Sequence, residues 1–155
     1  MLNLVDQNLY IGTSASEILH FVQIPPDSTD PAGKPSYILA SRLSPVYTTP
    51  PTSERPGIQQ ILLLPQVNKA CILCNWTVTF YSLPELSPVF SNTHPPNNCN
   101  WIGGVDLNSA QDPGAASVTV LLSLNKRIRV IRIAEDARVL RVCVENLPGL
   151  EQICC

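Results

Sequence analysis

Charged side chains make up only 14% of this 155-residue chain, well below the usual quarter or so, and they leave a formal charge of −2. That balance provides no basic footprint for nucleic acid. The hydrophobic fraction, 45%, is ordinary for a folded domain and excludes a solvated, disordered tail. Histidine is nearly absent: His20 falls within a strand-like run and His94 in a Pro-rich loop. No G-x-S-x-G motif offers a nucleophile, no G-x-x-x-x-G-K-[ST] loop offers a phosphate cradle, and the carboxylates are scattered. No catalytic centre and no cofactor are therefore expected. Long apolar runs are missing too: the stretch Ile61 to Leu64 is far too short to span a bilayer. The N-terminus, Met-Leu-Asn-Leu-Val-Asp, has no basic region followed by an apolar core, so no signal peptide is expected and the chain reads as cytosolic. Sustained apolar spacing at i, i+3, i+4 and i+7 is also lacking, which predicts almost no helix.

What the chain has in quantity is proline. Its 15 prolines cluster between elements: Pro25, Pro26, Pro31 and Pro35, then Pro45, Pro50, Pro51 and Pro56, then Pro95 and Pro96. Proline cannot donate to a strand ladder, so these clusters mark connections. A loop-rich insertion over about 25–57 follows, interrupted by a predicted strand at Ser36 to Leu43.

Between the connections, three stretches alternate β-favouring runs with a short polar turn: Leu9 to Ile24, Ala70 to Leu83 and Val118 to Ile133. Their turns are expected at Ser14 to Glu17, at Asn75-Trp76 and at Asn125-Lys126. Each is a predicted β-hairpin, and they recur at roughly fifty- to sixty-residue intervals, the period of blade-like arrays. Further strands are predicted at Met1 to Val5, Ile58 to Leu64, Leu86 to Phe90, Trp101 to Leu107 and Ala137 to Val144. The sum is about three units of up to four strands, apolar on both faces as packed sheets require.

Six cysteines in a cytosolic chain should be mostly reduced. Cys71 and Cys74 form a C-x-x-C, but inside a strand residues three apart point to opposite faces, and no second pair stands at zinc spacing. Buried structural thiols are expected there. A small metal or redox protein using Cys71, Cys74, Cys154 and Cys155 is a separate alternative. The terminal Cys154-Cys155 pair resembles a prenylation tail, without a GTPase motif before it. Asn75-Trp76-Thr77 spells a glycosylation sequon, discounted for a cytosolic chain.

The one concentrated charge feature is Lys126, Arg127, Arg129 and Arg132, with Arg138 and Arg141 beyond. On a strand Arg127 and Arg129 share a face and Ile128 and Val130 take the other. Two readings stand: a basic patch meeting an acidic protein surface or anionic headgroups, or charge protecting a solvated outer or edge strand. Trp76 and Trp101 are either interface anchors or packing between units, with Trp76, at a turn, expected to be the more exposed.

The string Val78-Thr-Phe-Tyr-Ser-Leu-Pro-Glu-Leu-Ser-Pro-Val89 resembles the strand-and-turn signature of CNH (citron homology) propellers. Tyr10-Ile-Gly-Thr-Ser running into Glu17-Ile-Leu-His-Phe is similar to that family's first-blade opening, with Ala15-Ser16 where glycine is usual. Asn100 to Leu107 and Lys126 to Arg132 extend the likeness over most of the chain. Within the family it is nearest to the fungal vacuolar-protein-sorting subunit of the CORVET tether and the animal TGF-β receptor-associated proteins. The resemblance implies an all-β, partial and open β-propeller of about three blades in one domain, with a divergent tail over about 143–155. Three blades cannot close a propeller, which needs roughly four to eight. The chain is accordingly expected to begin inside its first blade, to stop after the third and to be a fragment. The implied role is non-catalytic: a platform for a Rab-type small GTPase and other tethering-complex subunits, held on endosome or vacuole membranes through those partners. A regulatory CNH domain of a Rho-type exchange factor or kinase scaffold is the alternative.

Overall fold

The computed structural model describes residues 2–26, 32–46, 57–89, 96–104, 117–125, 127–135 and 139–146, with 2–5 and 139–146 as backbone. The strands are β1 (Leu2–Val5), β2 (Asn8–Gly12), β3 (Ile18–Ile24), β4 (Ser36–Leu43), β5 (Ile58–Leu64), β6 (Lys69–Cys74), β7 (Thr77–Ser82), β8 (Ser87–Val89), β9 (Cys99–Gly103), β10 (Ser117–Leu124), β11 (Arg127–Ala134) and β12 (Val139–Asn146). Among the described residues the one helical element is a 3-10 turn at Pro65–Val67.

These strands form three four-stranded antiparallel meanders in chain order: β1 to β4, β5 to β8 and β9 to β12. The first unit holds the four strands expected of it, from the predicted Met1 to Val5 strand, the Leu9 to Ile24 hairpin and the Ser36 to Leu43 strand. The three predicted hairpins are present, pairing β2 with β3, β6 with β7 and β10 with β11. The turn between β6 and β7 is two residues long, with Asn75 at φ 45° and Trp76 at φ 62°. Two left-handed residues in succession match the right-handed twist of the flanking strands, the usual solution for so short a hairpin.

Two predicted strands sit slightly differently. Leu86 belongs to the turn, in the left-handed region at φ 61°, and the outer strand begins at Ser87. The strand expected from Trp101 starts earlier, at Cys99, directly after left-handed Asn98, and the expected extension over 105–107 lies outside the described residues. Phe90, His94, Lys126, Arg138, Cys154 and Cys155 lie outside them as well.

The sheets stack face to face, with the second in the middle. One buried cluster, containing Tyr10, Ile18, Ile58, Ile61, Ile72 and Cys74, joins the first sheet to the second. The other, containing Cys71, Leu73, Val78, Phe80, Val120, Leu122 and Ile133, joins the second to the third. Alternation along β6 explains the split: Ala70, Ile72 and Cys74 face one neighbour, Cys71 and Leu73 the other. Every residue of β6 is buried. Each well-buried aliphatic side chain of this kind contributes about 1.5–3 kcal/mol relative to exposure. The stack is open: the two clusters serve the middle sheet, and none joins the first sheet to the third among the described residues. This is the geometry of a partial β-propeller.

Candidate interaction surfaces

Specific hydrogen bonds hold the sheets in register with one another. The amide at the start of β5, Ile58, donates to Thr13 O in the β2–β3 turn at 3.0 Å. The amide at the start of β9, Cys99, donates to Trp76 O in the β6–β7 turn, also at 3.0 Å. The same contact thus recurs at both seams: the first strand of one sheet begins on the central turn of the sheet before it. Side chains reinforce it. Gln60 Nε2 donates to Ile102 O at 3.2 Å while Gln60 Oε1 accepts from Ile102 N at 2.8 Å, bridging β5 to β9. Asn75 Nδ2 donates to Ser16 Oγ at 2.8 Å, turn to turn. At the outer end, Lys69 Nζ donates to Glu135 O at 2.8 Å and Asn68 Nδ2 to Glu135 Oε1 at 3.0 Å. Such paired polar groups specify one arrangement, because any slippage orphans them in a partly dry seam.

The first seam also carries a stacked pair. The Tyr10 and His20 rings lie 4.9 Å apart, and Tyr10 Oη donates to Pro84 O at 2.8 Å. His20 Nε2 lies 2.8 Å from its acceptor Asn8 Oδ1, and Nδ1 lies 3.4 Å from the Ser41 hydroxyl, which can donate or accept. Burial pushes the Tyr10 phenol up to about 12, helped by Glu85 and Asp6. Burial also lowers the His20 pKa, against a smaller opposing pull from Glu85. His20 is thus a structural strand histidine.

Cys71, Cys74 and Cys99 are free, buried thiols whose pKa values burial raises. Cys71 and Cys74 fall in different core clusters, on opposite faces of β6. Among the described residues no group of three or more His, Cys, Asp or Glu side chains could hold a metal ion. The sequon asparagine, Asn75, is 1% exposed and hydrogen-bonded inside a seam, which closes it to modification.

The basic segment divides between two faces. In the β10–β11 register Leu124 opposes Arg127, Leu122 opposes Arg129, Val120 opposes Ile131 and Val118 opposes Ile133. Arg127 and Arg129 therefore share the face that packs on the second sheet, as the alternation predicts, and Arg132 lies on the opposite face. On the seam face, burial along β11 rises from exposed Arg127 through half-buried Arg129 to buried Ile131 and Ile133, so Arg127 and Arg129 stand where the seam opens towards the turn. The Arg129 Nε is buried without a hydrogen-bond partner among the described residues. Arg127 and Arg132 are exposed.

The tryptophans reverse the expectation. Trp76 is half-buried, its amide accepted by Gln59 Oε1 at 2.8 Å and its carbonyl taken by Cys99. Trp101 is the exposed one, at 47%, with its ring lying over Gly103. The reason is position: the β6–β7 turn is drawn into the second seam, whereas Trp101 points away from it. The other exposed large apolar residues gather at one edge, with Ile24 on β3, Tyr37, Ile38 and Leu39 on β4, and Val46 beyond.

Stacked antiparallel four-stranded sheets, each starting on the central turn of the one before, define a partial β-propeller fold. The chain belongs to the VPS3 N-terminal domain family, which matches residues 1–146. It is similar to Vacuolar protein sorting-associated protein 3 of Saccharomyces cerevisiae (strain ATCC 204508 / S288c), with 24% identity over 146 residues that cover 92% of this chain and 11% of the yeast protein. The chain thus spans about a tenth of the length of that relative.

Proposed function

We propose that this chain is a non-catalytic interaction platform of a vacuolar-sorting tether subunit, a CNH-type partial propeller acting in vesicle traffic. The observation that carries the reading is the family match over residues 1–146, coincident with the described sheet stack. In this proposal the platform works within a CORVET-type complex, engages a Rab-type small GTPase and other tether subunits, and reaches endosome or vacuole membranes through them. No helix among the described residues is long and apolar enough to cross a membrane. The proposed contact residues are Lys126, Arg127, Arg129, Arg132 and Trp76. Supporting this choice, Arg127 and Arg132 are exposed, on opposite faces of β11, and an exposed arginine can meet an acidic surface at modest desolvation cost.

The test is replacement. Residues 1–146 of this chain are exchanged for the matched segment of the yeast relative, and delivery of a vacuolar hydrolase is scored in cells lacking that relative. Restored delivery supports the proposal. A chimera that accumulates normally yet leaves the hydrolase secreted overturns it. Replacing Arg127 and Arg132 by glutamate in a working chimera should reduce capture of the GTP-loaded GTPase while leaving protein level unchanged.

A further inference from the structure

The segment that leaves β4 turns its side chains alternately into and out of the first seam. Leu43, the last residue of β4, is half-buried against the cluster that joins the first and second sheets, and Pro45 is buried. Ser44 between them is exposed and belongs to no strand. The Val46 amide beyond donates to the Tyr81 hydroxyl on β7, so the segment is anchored on both sides of the serine. Pro45 has no N–H, which ends ladder pairing there, and it confines the residue before it to extended backbone. The Ser44 hydroxyl is thus presented to solvent on an extended, fixed stretch of chain.

The chain carries three Ser/Thr-Pro steps: Ser44-Pro45, Thr49-Pro50 and Ser87-Pro88. Thr49 lies outside the described residues, and Ser87 is paired with Ser82 inside the second sheet. Ser44 alone of the two described acceptors stands outside a strand ladder together with its proline. We propose that Ser44 is the phosphorylation site of a proline-directed protein kinase, and that Arg42 holds the phosphate. Arg42 is exposed and opposes Leu19, whereas Leu43 opposes Ile18 on the seam face. Alternation therefore puts Ser44 on the side of Arg42, with two residues of extended chain, roughly 6.6 Å, between them. A guanidinium reaches across that interval and pairs with phosphate oxygens through its fork of N–H donors. In the transfer, the Ser44 hydroxyl gives up its proton as Oγ bonds to the γ-phosphorus of MgATP. The bond from that phosphorus to the bridging oxygen breaks, and ADP leaves. The product carries a charge of about −1.5 to −2 where serine had none. That charge stands at the end of a strand whose exposed Tyr37, Ile38 and Leu39 are apolar, and it recharges this edge without entering the seam.

The experiment incubates the complete chain with MgATP and, in separate reactions, a cyclin-dependent kinase and a mitogen-activated protein kinase. Tandem mass spectrometry of the digest then maps the phosphate. Label on Ser44 is expected, with loss of that incorporation in Ser44→Ala. A bare Ser44 under both kinases overturns the site, whether phosphate appears on Thr49, on Ser87 or nowhere. Labelling of a free peptide spanning residues 38–50 but not of the folded chain also overturns it, because the fold would then hide the hydroxyl. The Arg42 contact has its own readout, the phosphorus-31 titration of the modified chain. A nearby cation favours the dianion, so the second phosphate pKa should lie below its ordinary value of about 6 and return towards it in Arg42→Gln. Identical titrations with and without Arg42 overturn the pairing. Both replaced side chains are exposed, so neither substitution touches the core.

Discussion

Tyr10 and His20 show one cause acting with two signs. Both rings are buried in the first seam, and burial disfavours whichever form is charged, so the phenol is raised to about 12 and the imidazole is lowered from its ordinary 6.5. For His20 the unfolded chain takes up a proton that the folded one resists. Its contribution to stability is complete above 6.5 and declines as pH falls below that value. For Tyr10 the folded chain holds its proton longer, so the contribution is complete below 10.0 and is lost as pH rises through about 12. Urea midpoints should therefore be level across neutral pH for these two groups and drop on both sides. His20→Gln should flatten the decline between roughly pH 7 and pH 5, and Tyr10→Phe the alkaline one. Parallel curves for wild type and His20→Gln would remove His20 as the source of the acid limb.

At the scale of elements, two glycines separate a packing constraint from a local one. A Cβ on Gly12 would stand 2.4 Å from Ile58 Cγ2 and 2.8 Å from Ile58 Cβ, across the first seam. A Cβ on Gly103 would stand 2.3 Å from the Trp101 ring, the outer end of a side chain that is half exposed. Gly12→Ala must push two sheets apart or displace a buried Ile58, an overpacking cost of about 1–3 kcal/mol. Gly103→Ala need only swing the indole outwards, with a smaller loss of stability and a red-shifted tryptophan emission. Denaturant titration followed by fluorescence checks both, and an equal loss for the two variants would contradict the seam at Gly12. The same contrast explains what the sequence made legible. The hairpins around Asn75-Trp76 and Asn125 were readable, because alternation and turn residues act locally. The faces of Cys71 and Cys74 were readable for the same reason. The start of β9 was not, because Cys99 is drawn into pairing by Trp76 O on another sheet. Nor was the exposure of the tryptophans, which depends on which turn enters a seam. Arg132 lies opposite Arg127 and Arg129 by plain alternation. Which face of β11 met the core could not be read, since apolar residues stand on both.

For the molecule as a whole, the stacking order predicts a gradient of protection. The second sheet is covered on both sides by the two clusters, and β6 lies inside it between β5 and β7, with all its residues buried. Its amides can exchange only when both seams open, an event close to global unfolding. At the other extreme, β4 ends the first sheet and is exposed along Ser36 to Arg42, with only Leu43 half-buried. Its pairing with β3 can break without disturbing either cluster, so its amides should exchange through local fraying. Hydrogen exchange should therefore rank β6 slowest, β10 next because the second cluster covers one of its faces, and β4 fastest of these three.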